Sequence, residues 1–303
     1  MFKICEVKAS GLLGADFERA GQEDFLLYGV SDPEAPEDHT LIFVKGEPSD
    51  ACRRVQSSIL ITDEQTELQP ARSSIRIRSA MPKNRYGELL TRMADQMPKP
   101  ELKQAGGSWI SEDVRMGRGV QIAPFCVIGR DVVIGDRCEI GAGTIIRDHV
   151  RIGRDVIIKE NCVIGAEDAD IYRTEEGLCR TLPHLAGTVI EDGCLLLAGA
   201  VLAAGDTRTT VLGRGSMIGM VGDVGHNCRI GEETLISGKA SISGHCQIGN
   251  HTYMAPMSVT TNRMSVGDHA YVGIGAVAIK DVPDQEKQFG NPARRVLERK
   301  QPK

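Results

Sequence analysis

Aromatic residues are scarce in this sequence: phenylalanine, tyrosine and tryptophan together make up 4% of its 303 residues. No run approaches the roughly 18 consecutive apolar residues that a membrane span needs, and the N-terminus MFKICEVKAS lacks the apolar core of a signal peptide. The net charge of −5 comes from interspersed acidic and basic residues, which is not typical of general nucleic-acid binding. We therefore expect a cytoplasmic protein with no membrane span and no nucleic-acid partner.

What the sequence does contain is a branched aliphatic residue at every sixth position over most of residues 110–278. One register runs from Ile110 to Ile164, a second from Ile190 to Leu202, and a third from Leu212 to Ala278. This repeat is typical of a parallel β-helix, in which each repeat supplies one short strand and one corner. Three repeats make one triangular turn, so residues three repeats apart within one register are predicted to stack. The predicted fold is mostly β, a left-handed parallel β-helix.

The repeat also predicts the organisation of the chain. Residues 1–100 lack it and alternate short apolar runs with turn signals, which indicates a small α/β domain that closes with a helix near Asn84–Met97. The β-helix is predicted over residues 108–282, and residues 283–303 form a basic tail. Two insertions, Glu167–Gly187 and a short slip around Gly205–Arg208, interrupt the β-helix. Loops that leave a regular solenoid have no evident packing role, so we predict substrate contacts there.

Most of the nine cysteines fall in one phase of the repeat, and no Cys-x-x-Cys pair occurs to suggest a zinc site. Six of them lie at the fourth position after a repeat aliphatic, where a β-helix places small inward side chains: Cys126, Cys138, Cys162, Cys194, Cys228 and Cys246. Buried free cysteine behaves as a small hydrophobic residue. We therefore predict that these cysteines are part of the core.

Histidine phase identifies one candidate for catalysis. His226 lies at the second position after a repeat aliphatic and is predicted at the edge of a corner, where the stacking rule places Gly244 above it. Histidine suits general base work near neutral pH, and a glycine N–H can closely approach a reacting carbonyl. Asp223 and Asp206 are two candidates to orient the imidazole. The alternative interpretation is that His226 is simply an exposed corner residue.

The other histidines of the β-helix share a different phase, the third position after a repeat aliphatic, which predicts that they point outward: His149, His245, His251 and His269. His251 and His269 occupy equivalent positions on successive turns and should stack, whereas His226 and His245 are out of register by one position. No convergent set with acidic support is evident, so no metal site is predicted.

The run from His226 to Gly231 (His-Asn-Cys-Arg-Ile-Gly) resembles the Ala-His-Asn-x-x-Ile-Gly signature of the UDP-3-O-acylglucosamine N-acyltransferase family of lipid A synthesis. Leu182–Gly187 and Thr210–Gly213 resemble two further segments of that family. Upstream, Gly29-Val30, Ala35-Pro36 and Leu41–Phe43 resemble its uridine-binding N-terminal domain.

This resemblance implies an enzyme that moves an acyl group from a thioester to the amine of a nucleotide-linked amino sugar. His226 would be the general base, and Gly244 would stabilise the oxyanion. The substrate-binding residues that follow from the resemblance are Phe43, which would stack on uracil, with Asn227, His184, Asp206 and Arg263. It also implies a homotrimer, as is usual for this fold.

The sequence departs from the family at several positions. Arg263 stands at the position of the family's second active-site histidine, and Ala203-Ala204 at that of an Asp-Arg pair. The C-terminal run from Gly290 to Arg294 instead resembles acetyl-CoA-dependent hexapeptide sugar acetyltransferases. The donor is therefore predicted to be either an acyl carrier protein or a coenzyme A thioester, with Lys280 and Arg294 meeting its phosphates or acidic face.

Three alternatives stay open. The chain could be an acetyl-CoA-dependent sugar N- or O-acetyltransferase. It could be a non-catalytic β-helix scaffold, for which Arg263 is the best sequence evidence. It could also be a metal-dependent hydratase of the carbonic anhydrase kind. The acyltransferase interpretation needs no tightly bound cofactor, because a thioester is already activated.

Overall fold

A computed structural model of the protein describes residues 3–20, 23–174 and 176–295. These residues form two compact units. The first combines the described part of residues 1–99 with residues 167–187 and 205–208, and the second contains residues 100–166, 188–204 and those from 209 onward. Among the described residues, no helix is long and apolar enough to cross a membrane.

The first unit is a small α/β fold. Its elements in the N-terminal segment are β1 (Val7–Lys8), α1 (Ala9–Leu13), α2 (Ala15–Ala20), β2 (Leu26–Leu27), β3 (Gly29–Ser31), β4 (Thr40–Phe43), β5 (Ile59–Thr62), β6 (Ile75–Arg78) and α3 (Pro82–Asp95). Strands β3 to β6 form a parallel sheet in sequence order, with β6 at one edge. Helix α3 begins with Pro82, whose fixed φ suits the first helical position, and it buries Tyr86, Leu89, Leu90 and Met93 against the sheet.

The long insertion is part of this unit's core. It contains a hairpin of Ile171–Arg173 and Cys179–Thr181, and Tyr172 and Leu182 are buried beside α3. A Cβ on Gly87 of α3 would lie 2.6 Å from the Tyr172 ring and 2.9 Å from the Leu182 side chain, so this helical position is restricted to glycine. The prediction that the insertion has no packing role was therefore wrong.

The second unit is the parallel β-helix, with three sheets that we name faces A, B and C. Each turn contributes one strand to each face in that order, and each strand pairs with the equivalent strand of the next turn. The offset between paired residues is constant except across the two insertions and at the C-terminal end, where Tyr271 pairs with Lys287. Hexapeptide repeats therefore extend through most of the unit, as predicted.

The strands of face A are Ser108–Ser111, Val127–Ile128, Ile145–Ile146, Val163–Ala166, Val201–Ala203, Asp223–Val224, Ser241–Ile242, Val259–Thr260 and Val277–Ala278. Those of face B are Arg115–Met116, Val133–Ile134, Val150–Ile152, Thr188–Ile190, Thr210–Leu212, Arg229–Ile230, Gln247–Ile248 and Ser265–Val266. Those of face C are Gln121–Ile122, Glu139–Ile140, Ile157–Ile158, Leu195–Leu196, Met217–Ile218, Leu235–Ile236, Tyr253–Met254 and Tyr271–Val272. Leu102–Ala105 pairs antiparallel to the first strand of face A, while Lys287–Phe289 and Arg294–Arg295 extend face C.

The repeat aliphatics point inward and form the core of this unit. Ile128 and Ile146, for example, are paired neighbours on face A and are almost completely buried. Burying one such side chain contributes about 1.5–3 kcal/mol. The six cysteines predicted to pack inside are buried too. Their thiols donate to carbonyl groups of the neighbouring turn, as Cys228 does to Ser243 at 3.1 Å.

The third residue after most repeat aliphatics has a left-handed backbone conformation, and four histidines occupy this position. The φ values are 59° at His149, 63° at His245, 53° at His251 and 57° at His269. His251 and His269 are exposed and stack with ring centroids 4.9 Å apart, as predicted. His149 is buried, however, because its Nδ1 lies 3.0 Å from the Asp131 carboxylate and its Nε2 lies 3.1 Å from the Arg130 guanidinium. Its phase predicted an outward position but did not predict this burial.

Exposed apolar side chains are concentrated at the corner between faces C and A, the CA corner. Phe125, Met220, Val221, Met257 and Ile274 all lie there, and each is more than half exposed. Both adjoining faces carry mainly apolar outward residues in their central turns. Soluble monomers rarely expose a continuous apolar surface of this kind without a binding role.

Candidate active site at the AB corner

Both interruptions of the β-helix occur at the corner between faces A and B, the AB corner. The chain leaves the second unit after Ala166 and again after Ala204, each time beyond a face A strand. It re-enters at Thr188 and Thr209, each time before a face B strand. His226 lies at this same corner, on the turn that follows the second interruption.

His226 is packed against Gly244, as the stacking rule predicts. Their turns are aligned by the pairs Asp223–Ser241 and Val224–Ile242 on face A. A Cβ on Gly244 would lie only 2.4 Å from Cε1 and 2.5 Å from Nε2 of the imidazole. His226 is 5% exposed, so it is a buried residue and not the exposed corner residue of the alternative interpretation.

The buried backbone N–H of Gly244 has no hydrogen-bond acceptor among the described residues. An equivalent N–H at the same corner, that of Arg130, donates to the Asp148 carboxylate of the next turn at 3.0 Å. Above Gly244 the matching residue is Asn262, which is exposed. Gly244 is thus a buried residue whose N–H is available to donate to a bound ligand.

A second histidine, His245, completes the corner. Its ring meets that of His226 edge-on, with centroids 5.1 Å apart, so the difference in register does not separate them as the sequence suggested. Its Nε2 lies 3.3 Å from Nδ2 of Asn227 and 3.3 Å from a guanidinium nitrogen of Arg263. Both neighbours carry N–H groups that can donate to this ring nitrogen.

Asn227 and Arg263 therefore have identifiable structural contacts. Asn227 is buried with φ of 59°, a conformation that asparagine tolerates better than most residues, and its N–H donates to Oγ1 of Thr210 at 2.9 Å. Arg263 is exposed. Their assignment to substrate binding stays a prediction.

Asp223 interrupts an apolar column on face A. Its carboxylate accepts a hydrogen bond from the Ser241 hydroxyl at 2.9 Å. The outward residues of this face are Trp109, Val127, Ile145, Val163, Val201, Asp223, Ser241, Val259 and Val277. The polar pair thus coincides with the two turns that carry His226 and Gly244. Ser241 was not predicted, although the stacking rule places it directly above Asp223.

Lys280 lies in the same corner column as His226. The two are separated by three turns, which corresponds to about 14 Å at the usual spacing of paired strands. Arg294 is exposed on the strand that extends face C, and its guanidinium donates to the Ala293 carbonyl at 3.0 Å. Arg299, Lys300 and Lys303 of the predicted basic tail lie outside the described residues.

The remaining predicted residues belong to the first unit. One face of the Phe43 ring stacks on Tyr86, with centroids 5.4 Å apart. Tyr86 donates to the backbone carbonyl of the buried Asp206 at 3.0 Å, and burial together with the nearby carboxylates holds the pKa of Tyr86 well above its usual range. Phe43 keeps partial exposure, which is compatible with its predicted role in base stacking.

His184 has a structural role within the long insertion. Its Nδ1–H donates to the Leu182 carbonyl at 2.6 Å, and its Nε2 accepts the N–H of Asp168 at 3.2 Å. Because both ring nitrogens form hydrogen bonds within the insertion, His184 stabilises this loop. The geometry therefore does not favour its predicted contact with substrate.

Residues 113–148 and 131–166 match the bacterial transferase hexapeptide model of six repeats. The second unit is a β-helix of the hexapeptide-repeat type. Solved structures of other proteins have a similar fold. The UDP-N-acetylglucosamine O-acyltransferase of Moraxella catarrhalis is 21% identical with a TM-score of 0.58, over 62% of this chain and 71% of that one. The enzyme of Bacteroides fragilis is 23% identical with a TM-score of 0.58, over 64% and 74%. That of Francisella novicida is 25% identical with a TM-score of 0.56, over 61% and 66%.

At this level of identity, these matches establish the fold. The Moraxella catarrhalis protein is named an O-acyltransferase, whereas the sequence motifs of this chain resemble an N-acyltransferase. The structural matches and the sequence motifs have one point in common: both indicate the hexapeptide-repeat fold found in nucleotide-sugar acyltransferases.

Proposed function

We propose that this protein transfers an acyl group from a thioester donor to the amine of a nucleotide-linked amino sugar. The observation that carries the proposal is the pairing of a buried imidazole, His226, with a buried glycine N–H at Gly244 that lacks an acceptor among the described residues. The imidazole is a base, and the N–H is an anion-stabilising donor beside it. Acyl transfer needs both groups within a few ångströms of one reacting carbon.

In the proposed reaction, the sugar amine attacks the thioester carbonyl. His226 accepts a proton from the amine as the N–C bond forms, and the Gly244 N–H donates to the oxyanion of the tetrahedral intermediate. The C–S bond then breaks, and the thiolate leaves with the proton that His226 returns. A general base of this kind typically contributes about 10²–10⁴ in rate, and the loss of one oxyanion donor costs about 10²–10³.

Asp223 remains the candidate in the second unit for orienting the imidazole, and its carboxylate is held by Ser241. Asp206, the other candidate, is in the first unit. For the donor, Lys280 is suited to bind an anionic group, because it lies along the same corner as His226. Either coenzyme A or an acyl carrier protein would present such a phosphate.

The apolar CA corner supports a homotrimer. Three copies packed about an axis parallel to the β-helix would bury Phe125, Met257 and Ile274 together with the neighbouring apolar faces. In that arrangement the AB corner of each copy lines the outer mouth of a cleft between two subunits. His226 would then face a groove that a donor and an acceptor can enter from opposite ends.

O-acyl transfer is the second candidate, and one structural neighbour favours it, because the Moraxella catarrhalis protein is named a UDP-N-acetylglucosamine O-acyltransferase. The same base and oxyanion donor would serve a sugar hydroxyl. The two candidates differ in the acceptor: N-acylation needs a free amine, whereas O-acylation proceeds on a sugar whose amine is already acetylated.

Mass spectrometry of products separates these candidates. The protein is mixed with UDP-sugars carrying either a free or an acetylated amine, and with acyl-CoA and acyl carrier protein thioesters. His226→Ala is compared with His251→Ala, an exposed histidine at another corner. Transfer lost only in His226→Ala supports the proposal, and the modified acceptor identifies the bond formed. Transfer that survives in His226→Ala removes this base, and no transfer from any thioester favours a non-catalytic scaffold.

A further inference from the structure

The first unit has an open sheet edge that the proposed acyl transfer does not use. Strand β6 is the last strand of the parallel sheet and pairs only with β5 among the described strands. The N–H of Ile75 donates to Ser58, and that of Ser79 donates to Thr62. Because backbone groups alternate along a strand, the N–H and C=O groups of Arg76 and Arg78 point away from β5. They form an unpaired template for another strand.

A groove of about 530 Å³ lies along this edge, within the size range of ligand-binding clefts. Ile75 and Ile77 of β6 line it together with Met81, which is 55% exposed. Asn84, Arg85 and Glu88 form its other wall on α3. An exposed edge strand with a groove between it and a helix is the arrangement that binds extended peptides by strand addition.

The groove has an excess of positive charge, because its lining contains more arginines than carboxylates. Arg85 is neutralised by Asp16 at 2.5 Å and Glu88 at 3.1 Å. Arg76 donates to neutral oxygens, including Oγ1 of Thr62 at 3.0 Å, and Arg78 is exposed. Within the described part of the chain, neither Arg76 nor Arg78 forms an ion pair with a carboxylate. Two cations at alternate positions therefore lie on one side of the edge strand.

We propose that this edge binds an extended acidic segment of a partner protein, in which acidic and apolar residues alternate. The acidic side chains would lie across from Arg76 and Arg78, because opposite charges on neighbouring strands attract. The apolar side chains would point to the other side of the sheet, toward Ile75, Ile77 and Met81. A free phosphate could use the two N–H donors but leaves the two carbonyl acceptors unused, whereas a peptide strand satisfies both.

Fluorescence polarisation with the full-length protein tests this proposal. The probe is a fluorescein-labelled eight-residue peptide of alternating aspartate and valine. A second peptide has lysine in place of aspartate, and a third is the aspartate peptide N-methylated at alternate residues. We expect the aspartate peptide to bind, the lysine peptide not to bind, and N-methylation to weaken binding by about tenfold or more, because it removes backbone hydrogen bonds.

The matched variants are Arg78→Glu and Arg118→Glu. Arg78→Glu should abolish binding of the aspartate peptide and permit binding of the lysine peptide, whereas Arg118→Glu, an exposed change on the β-helix, should alter neither. Failure of the wild-type protein to bind the aspartate peptide overturns the proposal. So does equal binding of the N-methylated peptide, or displacement of the peptide by millimolar inorganic phosphate, since either result indicates a simple anion site.

Discussion

Substitution of Gly244 by alanine tests the core of the proposed site. A Cβ at this position would lie 2.4 Å from the imidazole of His226, whereas ordinary van der Waals contact begins near 3.4 Å. The ring must therefore move by about 1 Å, since the backbone of this turn is fixed by pairing on both sides. A misplacement of about 1 Å in a catalytic geometry costs roughly 10²-fold in rate.

The backbone N–H of residue 244 survives in Gly244→Ala, so this variant separates displacement of the base from loss of the oxyanion donor. We expect kcat to fall about 10²-fold, with the variant still folded. The assay is steady-state acyl transfer, with thermal unfolding to monitor the fold. Gly11→Ala is the matched control, because a Cβ there meets nothing closer than 4.0 Å.

A double-mutant comparison provides the strictest check. In a His226→Ala background the clash with residue 244 is gone, so adding Gly244→Ala should cost little further activity; such non-additivity is expected of residues in contact. If Gly244→Ala alone leaves kcat unchanged, the imidazole does not act from the position seen here. If the two changes multiply, the glycine acts independently of the histidine. Either result refutes the mechanism as proposed.

Three further predictions follow from packing and charge. Gly87→Ala should destabilise the protein by about 1–3 kcal/mol because its Cβ would clash with Tyr172, and chemical denaturation measures the loss; an unchanged midpoint would contradict the packing. Met257→Lys should dissociate the predicted trimer in analytical ultracentrifugation, whereas Met81→Lys, of similar exposure in the first unit, should not; a trimer that persists would exclude the CA corner as its interface. Burial lowers the pKa of His149, so this residue favours folding above the usual histidine pKa near 6.5 and opposes it as the pH falls below that value. Between about pH 7.5 and 5.5, the free energy of unfolding of His149→Gln should therefore fall less than that of the wild type. Urea unfolding measures this difference, and an identical fall in both proteins would refute this role.

Regular periodicity explains which features could be predicted. The hexapeptide repeat identified the inward aliphatics and cysteines, and the stacking of successive turns placed Gly244 on His226. Both rules depend only on local chain geometry, which the paired strands reproduce turn after turn. The AB corner as the position of both interruptions also follows from counting repeats.

The insertion was misjudged because its side chains meet residues outside the repeat. For His149, the stacking rule places Asp131 one turn below, but phase alone does not show that Asp131 and Arg130 contact the imidazole or that it is buried. Tyr172 finds its partner in α3, far earlier in the chain, and no periodic signal connects them. His226 and His245 touch because imidazole rings are long enough to bridge a shift of one position.

The first unit is discontinuous in sequence, and this affects how the chain folds. Its core includes Tyr172 and Leu182, and its Tyr86 hydroxyl is satisfied by the carbonyl of Asp206. During synthesis, the segment that ends at Lys99 therefore lacks part of its interior until the chain has been extended as far as Asp206. Contacts over such sequence separations are slow to form. We expect that a fragment ending near Lys99 exposes the apolar side of α3, and that the N-terminal unit reaches its final stability only after the first β-helix turns exist.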